Sequence, residues 1–407
     1  MVPPRGLVAD GLEGQESSVD WRTRRGTRLG TRLVGGMEVV AGMRAWTAGA
    51  LAATLLLAGC ALPFGGSRRL PLGVDVGWVE VGPPAMAQMT AAKARRVRAA
   101  GAGLARVEFR SQPFFGTTQA AFDRGYGKVV QNLNAAHVQV LGLLDYTTVG
   151  GGQSAWNRGG SSTRTSGGAN AYTRHFARTA AAIMRAFRGR VRYWEIWNEP
   201  NAWHHNDGGG RYSGGTYMYP NTYAAMLRET YHQAVQVDHL PVTIVSGGLL
   251  GGAFGGNYDR ANSGAVYLQQ VFACWKAQGV HPYPLDAVGQ HLYIAQGGVA
   301  GSVVTSAQVS EYLRWVHDVP THYGLPHMPT FLTEVGWSSG QVGGPDKARN
   351  LRTALTVASH TPYVHAFVWF NLQSGNGMRY GLNHPNGAPS AADRAYRQLA
   401  PIWMRGG

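Results

Sequence analysis

The chain has 407 residues, of which 44% are hydrophobic, with a formal net charge of +15 and only two cysteines. This length and apolar content suit either one large domain or two ordinary ones, and two cysteines exclude a disulfide framework. The basic residues are scattered rather than clustered, which argues against nucleic-acid binding and favours an arginine-rich surface or a partner such as an anionic polysaccharide or the cell envelope.

Residues 1–59 are predicted to form a leader. Residues 1–36 are polar and rich in Gly and Arg, so Met37 or Met43 makes a better start for a signal peptide than Met1. Residues 45–57 are an apolar run that matches a signal h-region and is too short to span a membrane. The run ends in Leu-Ala-Gly followed by Cys60, which resembles a bacterial lipobox, so we expect a lipid on Cys60.

A lipid on Cys60 predicts an exported protein that is anchored to the cell envelope through the membrane. The alternative is a plain signal peptide, which would give a secreted protein. The simplest interpretation of Cys60 is a buried structural cysteine. Residues 60–69 then form a linker. The second cysteine, Cys274, lies in the apolar face of a predicted helix and is expected to be buried.

From residue 70 onward, strand and helix patterns alternate eight times, which predicts a parallel sheet with crossover helices. The predicted strands are residues 72–78, 104–109, 138–146, 191–198, 242–247, 287–293, 330–334 and 366–371. The predicted helices are residues 87–100, 120–136, 171–187, 223–238, 266–278, 306–322, 347–359 and 391–403. Eight such units within residues 70–404 predict a single α/β domain, a (β/α)8 TIM barrel without a separate binding module.

The longest predicted loops follow strands, as they do in a barrel whose site lies at that face. They are residues 147–170, 201–221, 251–264 and 373–389. The second of these loops holds Trp203 among several other aromatic side chains. It also contains the run His204-His205-Asn206-Asp207, which resembles a metal site, but without a spaced third ligand we interpret it as a polar loop.

Two predicted strands end in a glutamate. The run WEIWNEPN brings Asn198 and Glu199 to the end of the fourth strand, because Pro200 cannot donate to a sheet ladder. The run TEVGW brings Glu334 to the end of the seventh strand. A single strand-end glutamate is more often a satisfied polar residue. Two of them, far apart in sequence, are what a retaining glycosidase needs, one as acid/base and one as nucleophile.

These two runs resemble the glycoside hydrolases of clan A, which are (β/α)8 barrels with catalytic glutamates on strands four and seven. Within the clan the chain is most similar to family 39 and to family 5 cellulase-like bacterial glycosidases, although it lacks the long C-terminal β-domain of family 39 xylosidases. The resemblance implies a retaining mechanism with Glu199 as acid/base and Glu334 as nucleophile. It implies neither a metal nor an organic cofactor, because two carboxylates and water suffice.

The resemblance also implies which residues bind the substrate. Arg106 and Tyr293 would hold the nucleophile, Asn198 would hold the sugar 2-hydroxyl, and His291 would lie lower or contact the sugar. Trp369 would form the floor on which the sugar stacks, followed by a non-proline cis peptide bond. Further substrate contacts are expected from Trp203 and Trp337.

Simpler interpretations stand beside these roles. Arg106 would merely pair with Glu108, and Arg110, which shares its strand face, is a rival candidate. Tyr293 and Trp369 would be core aromatics, and Glu195 is expected to be a buried structural carboxylate. Ideal alternation sends Asn198 and Glu199 to opposite faces, so the strand must bend for both to reach one site.

The sequence therefore predicts a retaining β-glycosidase that acts on a polysaccharide or oligosaccharide. A transglycosylase of the same fold and a catalytically silent polysaccharide-binding lipoprotein are the alternatives, and the presence of both glutamates favours an enzyme. A retaining enzyme would hold its two carboxyl groups roughly 5–5.5 Å apart, against about 6.5–9.5 Å for an inverting one.

Overall fold

The computed structural model describes residues 70–76, 89–110, 119–202, 216–250, 264–294, 303–375 and 377–405. Residues 1–69, which hold the predicted leader, the lipidation site Cys60 and the linker, lie outside these residues, as do residues 203–215 with Trp203 and His204, so the expectations for them stay predictions. All described residues belong to one compact unit, residues 62–407.

Eight strands form a closed barrel in which neighbours in sequence are neighbours in space. They are β1 (Gly73–Asp75), β2 (Leu104–Glu108), β3 (Gln139–Leu144), β4 (Tyr193–Asn198), β5 (Thr243–Leu250), β6 (Val288–Leu292), β7 (Thr330–Val335) and β8 (Val364–Trp369). Every strand pair is parallel, and β8 closes the barrel by pairing with β1. The predicted (β/α)8 fold is confirmed.

Helices connect consecutive strands. They are α1 (Ala91–Ala99), α2 (Gln119–Ala135), α3 (Tyr146–Val149), α4 (Gln153–Trp156), α5 (Ala171–Ala186), α6 (Pro220–Tyr231), α7 (Gly264–Ala277), α8 (Ser306–His322), α9 (Ser339–Val342), α10 (Gly344–Ser359) and α11 (Ala391–Arg405). A π-helical segment, His232–Val237, continues α6. Cys274 is buried on α7, as predicted. None of the described helices has the length and apolar character needed to cross a membrane.

The loop after β3 contains structure that the sequence pattern did not predict. Asp145 caps α3, accepting a hydrogen bond from the amide of Thr147 at 2.8 Å. The indole of Trp156, at the end of α4, is buried and donates to the carbonyl of Tyr217 at 3.0 Å. This rim loop is therefore anchored by its own short helices.

The inside of the barrel has two layers. The lower layer, toward the amino ends of the strands, is a buried apolar cluster formed by Leu70, Leu104, Leu141, Val245, Ala287, Phe331, Ala366 and Val368. Residues two positions further along a strand point to the same side but lie higher. On β2, Leu104 is thus followed by Arg106, and on β7 Phe331 is followed by Thr333. We call this polar layer at the carboxyl ends of the strands the upper layer.

Candidate active site

Arg106 lies at the centre of the upper layer and is buried. Its Nε donates to Glu195 at 2.6 Å, its Nη1 donates to Asp75 at 3.0 Å and to Glu334 at 2.6 Å, and its Nη2 donates to the side-chain oxygen of Asn198 at 2.8 Å. Burial opposes the charged form, but the three carboxylates outweigh it and raise the pKa of Arg106 further. One permanent cation thus fixes side chains from β1, β4 and β7.

The interpretation of Arg106 as a partner of Glu108 is wrong. Glu108 instead accepts from Arg110, and its other oxygen accepts from the hydroxyl of Thr147 at 2.9 Å. Arg110 is therefore engaged at the end of β2 and is not the residue that holds Glu334. The two arginines differ because Arg106 lies four residues earlier, within β2 and in register with Asp75 of β1.

Glu334 is held as an ionised carboxylate. One oxygen accepts from Arg106, and the other accepts from the hydroxyl of Tyr293 at 2.5 Å. Burial alone would raise the pKa of Glu334, but the charges of His291 and Arg106 and the hydrogen bonds from Tyr293 and Arg106 outweigh it, so the pKa lies below its ordinary value. Glu334 is thus an anion held by fixed donors, as a nucleophilic carboxylate requires.

Glu199 has a different environment. Its carboxylate lies 2.9 Å from Nδ1 of His291, and its side chain keeps 22% of its surface exposed. Burial lowers the pKa of His291, but the carboxylates of Glu334 and Glu199 outweigh it and raise that pKa above its ordinary value. The raised pKa favours a proton on His291, which lies between the partly exposed Glu199 and the buried anion of Glu334.

The two glutamates are close to each other. Glu199, His291 and Glu334 each offer one ligand atom, and these atoms lie within 4.8 Å of one another. Three such ligands are able to hold a metal ion. Both oxygens of Glu334, however, already accept hydrogen bonds, and the guanidinium of Arg106 repels a cation at the same place. The arrangement suits a pair of reacting carboxyl groups better than a metal centre.

Both Asn198 and Glu199 reach the site because β4 bends at its end, as the sequence analysis required. Trp197 has φ 77° and Glu199 has φ 49°, so two left-handed residues break the alternation. Such residues cost about 1–2 kcal/mol each when they are not glycine. The bend needs Gly247 on β5, where a Cβ atom would lie 2.4 Å from the carbonyl oxygen of Trp197.

Gly248 on β5 makes room for His291. A Cβ atom at Gly248 would lie 2.1 Å from the His291 ring, and the Gly248 amide donates to Glu195 at 2.9 Å. Glu195 also accepts from Thr333 at 2.8 Å and is fully buried. Its contacts fit the predicted structural role.

The structure places Trp337 and Trp369 in the core, where neither offers a ring face to a sugar. Both side chains are fully buried, with the Trp369 indole donating to the carbonyl of Tyr380 at 3.1 Å. The stacking role expected of them is corrected accordingly. The expected cis peptide bond is displaced as well, because it joins Phe370 to Asn371, one residue after the end of β8.

Three residues of the site escaped the sequence analysis. Asp75 ends β1 and Thr333 precedes Glu334 on β7, and both bind the Arg106–Glu195 network. Their positions on predicted strands were the available signal, with Thr333 two residues above the inward-facing Phe331. Tyr380, whose ring lies 5.9 Å from that of Tyr293, comes from a loop that carried no pattern.

No protein-family profile and no curated protein sequence matches this chain. Solved structures do match. A family 39 glycoside hydrolase from Bacteroides cellulosilyticus WH2 superimposes with a TM-score of 0.55 at 18% identity, covering 83% of this chain and 64% of that one. A GH5_18 protein from Bifidobacterium longum subsp. infantis superimposes with a TM-score of 0.57 at 14% identity, covering 82% of this chain and 79% of that one. A GH5_18 protein from Streptomyces cattleya in complex with Manβ1-4GlcNAc superimposes with a TM-score of 0.59 at 13% identity, covering 83% of this chain and 81% of that one.

The chain spans about two thirds of the family 39 protein that it matches, at 64% of that length. At these identities the likeness establishes the fold. The predicted resemblance to the (β/α)8 barrels of clan A is thus confirmed at the level of the fold, and the structural neighbours are glycoside hydrolases.

Proposed function

We propose that this chain is a retaining β-glycosidase in which Glu334 is the nucleophile and Glu199 the acid/base. The observation that carries the proposal is the pair of carboxylates, with one oxygen of each within 4.8 Å. A distance of at most 4.8 Å between these oxygens is compatible with the roughly 5–5.5 Å between the carboxyl groups of retaining enzymes and lies below the about 6.5–9.5 Å of inverting ones. The glycoside hydrolase fold of the structural neighbours supports the same reaction class.

In the first step Glu334 attacks the anomeric carbon while the bond to the leaving oxygen breaks. Glu334 is ready to attack because its pKa is depressed and its two oxygens are oriented by Arg106 and Tyr293. An ester between Glu334 and the sugar results. Asn198 accepts from Arg106 through its oxygen, which leaves its amide nitrogen to bind the sugar 2-hydroxyl.

Glu199 moves the proton in both steps. It gives a proton to the departing glycosidic oxygen, and later takes one from the water that hydrolyses the ester. His291, 2.9 Å away, holds the carboxyl in place and shares its proton.

The substrate that we propose is a polysaccharide or oligosaccharide, in line with the disaccharide bound in the Streptomyces cattleya neighbour. We also propose that the protein is exported and held at the envelope membrane by a lipid on Cys60, on the strength of the lipobox-like run. Cys60→Ser should then release the protein from the membrane fraction, and a variant that stays there would contradict the anchor.

The decisive experiment is the stereochemistry of hydrolysis. Wild-type protein is incubated with β-glucan, mannan, xylan and acidic polysaccharide fragments, and proton NMR follows the first anomer released. A retaining enzyme releases the β-anomer from a β-linked substrate. Initial release of the α-anomer would contradict the mechanism, products extended by a sugar acceptor would indicate a transglycosylase, and tight binding without any cleavage would indicate a silent binder.

The variant Glu199→Ala distinguishes the role of the acid/base from that of the nucleophile. The variant should lose most activity on substrates with poor leaving groups, because protonation assists these most. Added azide should restore part of the rate by attacking the glycosyl ester, and the product should be a β-glycosyl azide. The absence of rescue on an activated aryl glycoside would contradict the assignment of Glu199.

A further inference from the structure

Tyr380 lies beside Tyr293, one of the residues that bind Glu334, and has no part in the mechanism above. Its ring is half-buried, in contrast to the fully buried tryptophans. The ring centroid lies 5.9 Å from that of Tyr293, whose hydroxyl donates to Glu334. Burial, and then the charges of Glu334 and Glu199, raise the pKa of Tyr380 to about 12. Tyr380 is thus a partly exposed aromatic side chain within electrostatic reach of both carboxylates.

Three consecutive carbonyl groups, those of residues 379–381, are held by buried donors. Lys347 Nζ donates to the carbonyl of Arg379 at 3.0 Å and to that of Gly381 at 2.5 Å. The carbonyl of Tyr380 itself accepts from the Trp369 indole at 3.1 Å. We call residues 379–381, with these donors, the carbonyl clasp. The clasp fixes the backbone on both sides of the Tyr380 side chain.

Lys347 has an unusual environment for an ammonium group. It lies in α10, is 3% exposed, and has no ion-pair partner among the described residues. Its Nζ lies 5.9 Å from the centroid of the Trp369 ring. Burial lowers the pKa of Lys347 to about 7. A buried charge without a carboxylate costs stability, so packing alone does not account for a lysine at this position.

We propose that Tyr380 contacts the sugar held between Glu199 and Glu334, and that Lys347 is a positioning residue that sets the Tyr380 ring there. The sugar as ligand rests on the proposed glycosidase function. A pyranose presents apolar C–H groups that pack on aromatic rings, and Tyr380 is a half-exposed ring beside Tyr293 whose backbone the clasp holds. Lys347 contacts the clasp backbone and not the carboxylates, so its influence passes through Tyr380.

The test is a double-mutant cycle on the 4-nitrophenyl β-glycoside that wild-type protein hydrolyses fastest. We expect Tyr380→Ala to lower kcat/KM by about 10- to 100-fold, and Lys347→Met to lower it by about 10-fold, because a displaced contact costs up to about 100-fold. Tyr380→Phe keeps the ring and should retain most activity. Lys347→Met combined with Tyr380→Ala should be no worse than Tyr380→Ala alone.

The matched control is Lys276→Met. Lys276 also lies near an aromatic ring, with its Nζ 6.0 Å from the Tyr323 centroid, but it is exposed and lies at the end of α7. The kcat/KM of the Lys276→Met variant should equal that of the wild type. Additive losses in the double variant would show that Lys347 acts elsewhere, and an unaffected Tyr380→Ala would show that the ring does not contact the substrate. Either result overturns the proposal.

Hydrogen–deuterium exchange tests the clasp without any substrate. Lys347→Met should accelerate exchange in peptides that cover residues 377–385 and leave the lower-layer strands unchanged. Unchanged exchange in those peptides overturns the positioning role. A wild-type chain inactive on every glycoside would contradict the proposed function and with it the sugar contact, whereas the exchange result would still decide the role of Lys347.

Discussion

The lower and upper layers of the barrel are built from the same strands and held by opposite forces. The lower layer is a buried apolar cluster that includes Leu104 and Phe331. The upper layer, one residue pair higher, gathers Asp75, Glu195 and Glu334 around Arg106. Burying apolar surface stabilises the fold directly, whereas buried ion pairs lose most of their attraction to desolvation. Stability and chemistry are thus separated along each strand.

The separation also explains why so much charge is tolerated inside the barrel. Each upper-layer carboxylate has a fixed donor: Asp75 and Glu334 share Arg106, and Glu195 adds Thr333 and the Gly248 amide. No side chain of the lower layer contributes a polar group. We therefore expect upper-layer variants to change the reaction more than the fold, and lower-layer variants to do the reverse.

The largest effect is expected for Glu334→Gln. The amide has nearly the shape of the carboxylate but forms no glycosyl ester, so kcat should fall by about 10⁴-fold or more. The melting temperature should change little, which thermal unfolding checks. The control is Glu311→Gln on the exposed side of α8, which should behave like the wild type. Residual activity within tenfold of the wild type would contradict the nucleophile assignment.

Arg106→Met is the upper-layer variant for which we expect a loss of stability as well as a loss of activity. The variant leaves three buried carboxylates without their cation, so it should lose about 3–5 kcal/mol of unfolding free energy as well as activity. Urea denaturation measures the loss. Arg314→Met breaks an exposed ion pair with Asp318 and should cost less than about 1 kcal/mol. Equal costs for the two variants would contradict the central role of Arg106.

Leu141→Ala tests the lower layer. Removal of this buried side chain should cost about 2–5 kcal/mol of unfolding free energy, while kcat per folded molecule stays near the wild-type value. The comparison is Ile402→Ala, because Ile402 is 44% exposed and its loss should be small. A large fall in kcat for Leu141→Ala at a temperature where the variant is fully folded would show that the two layers are coupled.

The smallest effect is expected in the pH profile of His291→Gln. The raised pKa of His291 keeps its proton bound below that pKa, and the proton is lost as the pH rises through it, so the alkaline limb of wild-type kcat/KM lies above pH 6.5. Without the imidazole the alkaline limb should no longer lie at its wild-type pH, which profiles of kcat/KM against pH measure. His322→Gln, an exposed site, should leave the profile unchanged.

The fold followed from the sequence because strand and helix periods alternate with little ambiguity, and the predicted elements lie close to the observed ones. The site residues followed in part. Arg106 and Tyr293 hold Glu334 as the resemblance implied, through hydrogen bonds of 2.6 and 2.5 Å, and Asn198 accepts a hydrogen bond from Arg106 at 2.8 Å. Only the bend at Glu199 reconciled the motif with strand alternation, and alternation alone predicts no left-handed residue.

What the sequence did not predict depends on distant contacts. Trp369 was expected to face the sugar, but its indole is buried and donates to the carbonyl of Tyr380, in a segment that Lys347 and the backbone just after β8 also bind. A residue that is placed by backbone carbonyls leaves no trace in hydrophobic periodicity. For that reason Tyr380, from an irregular loop, was missed, and its buried tryptophan partner was assigned the contact.

The hydrogen bond between Arg106 and Glu334 has a consequence for co-translational folding. The two residues are 228 positions apart in sequence. At about 5–20 residues per second, a ribosome takes roughly 10–45 s to make the chain between them. Of the three carboxylates that bind the guanidinium in the folded protein, only Asp75 and Glu195 precede Glu334 in the sequence. The reactive carboxylate therefore meets its cation only when most of the barrel has been synthesised, so that a nascent chain carries the parts of the site long before it has the activity.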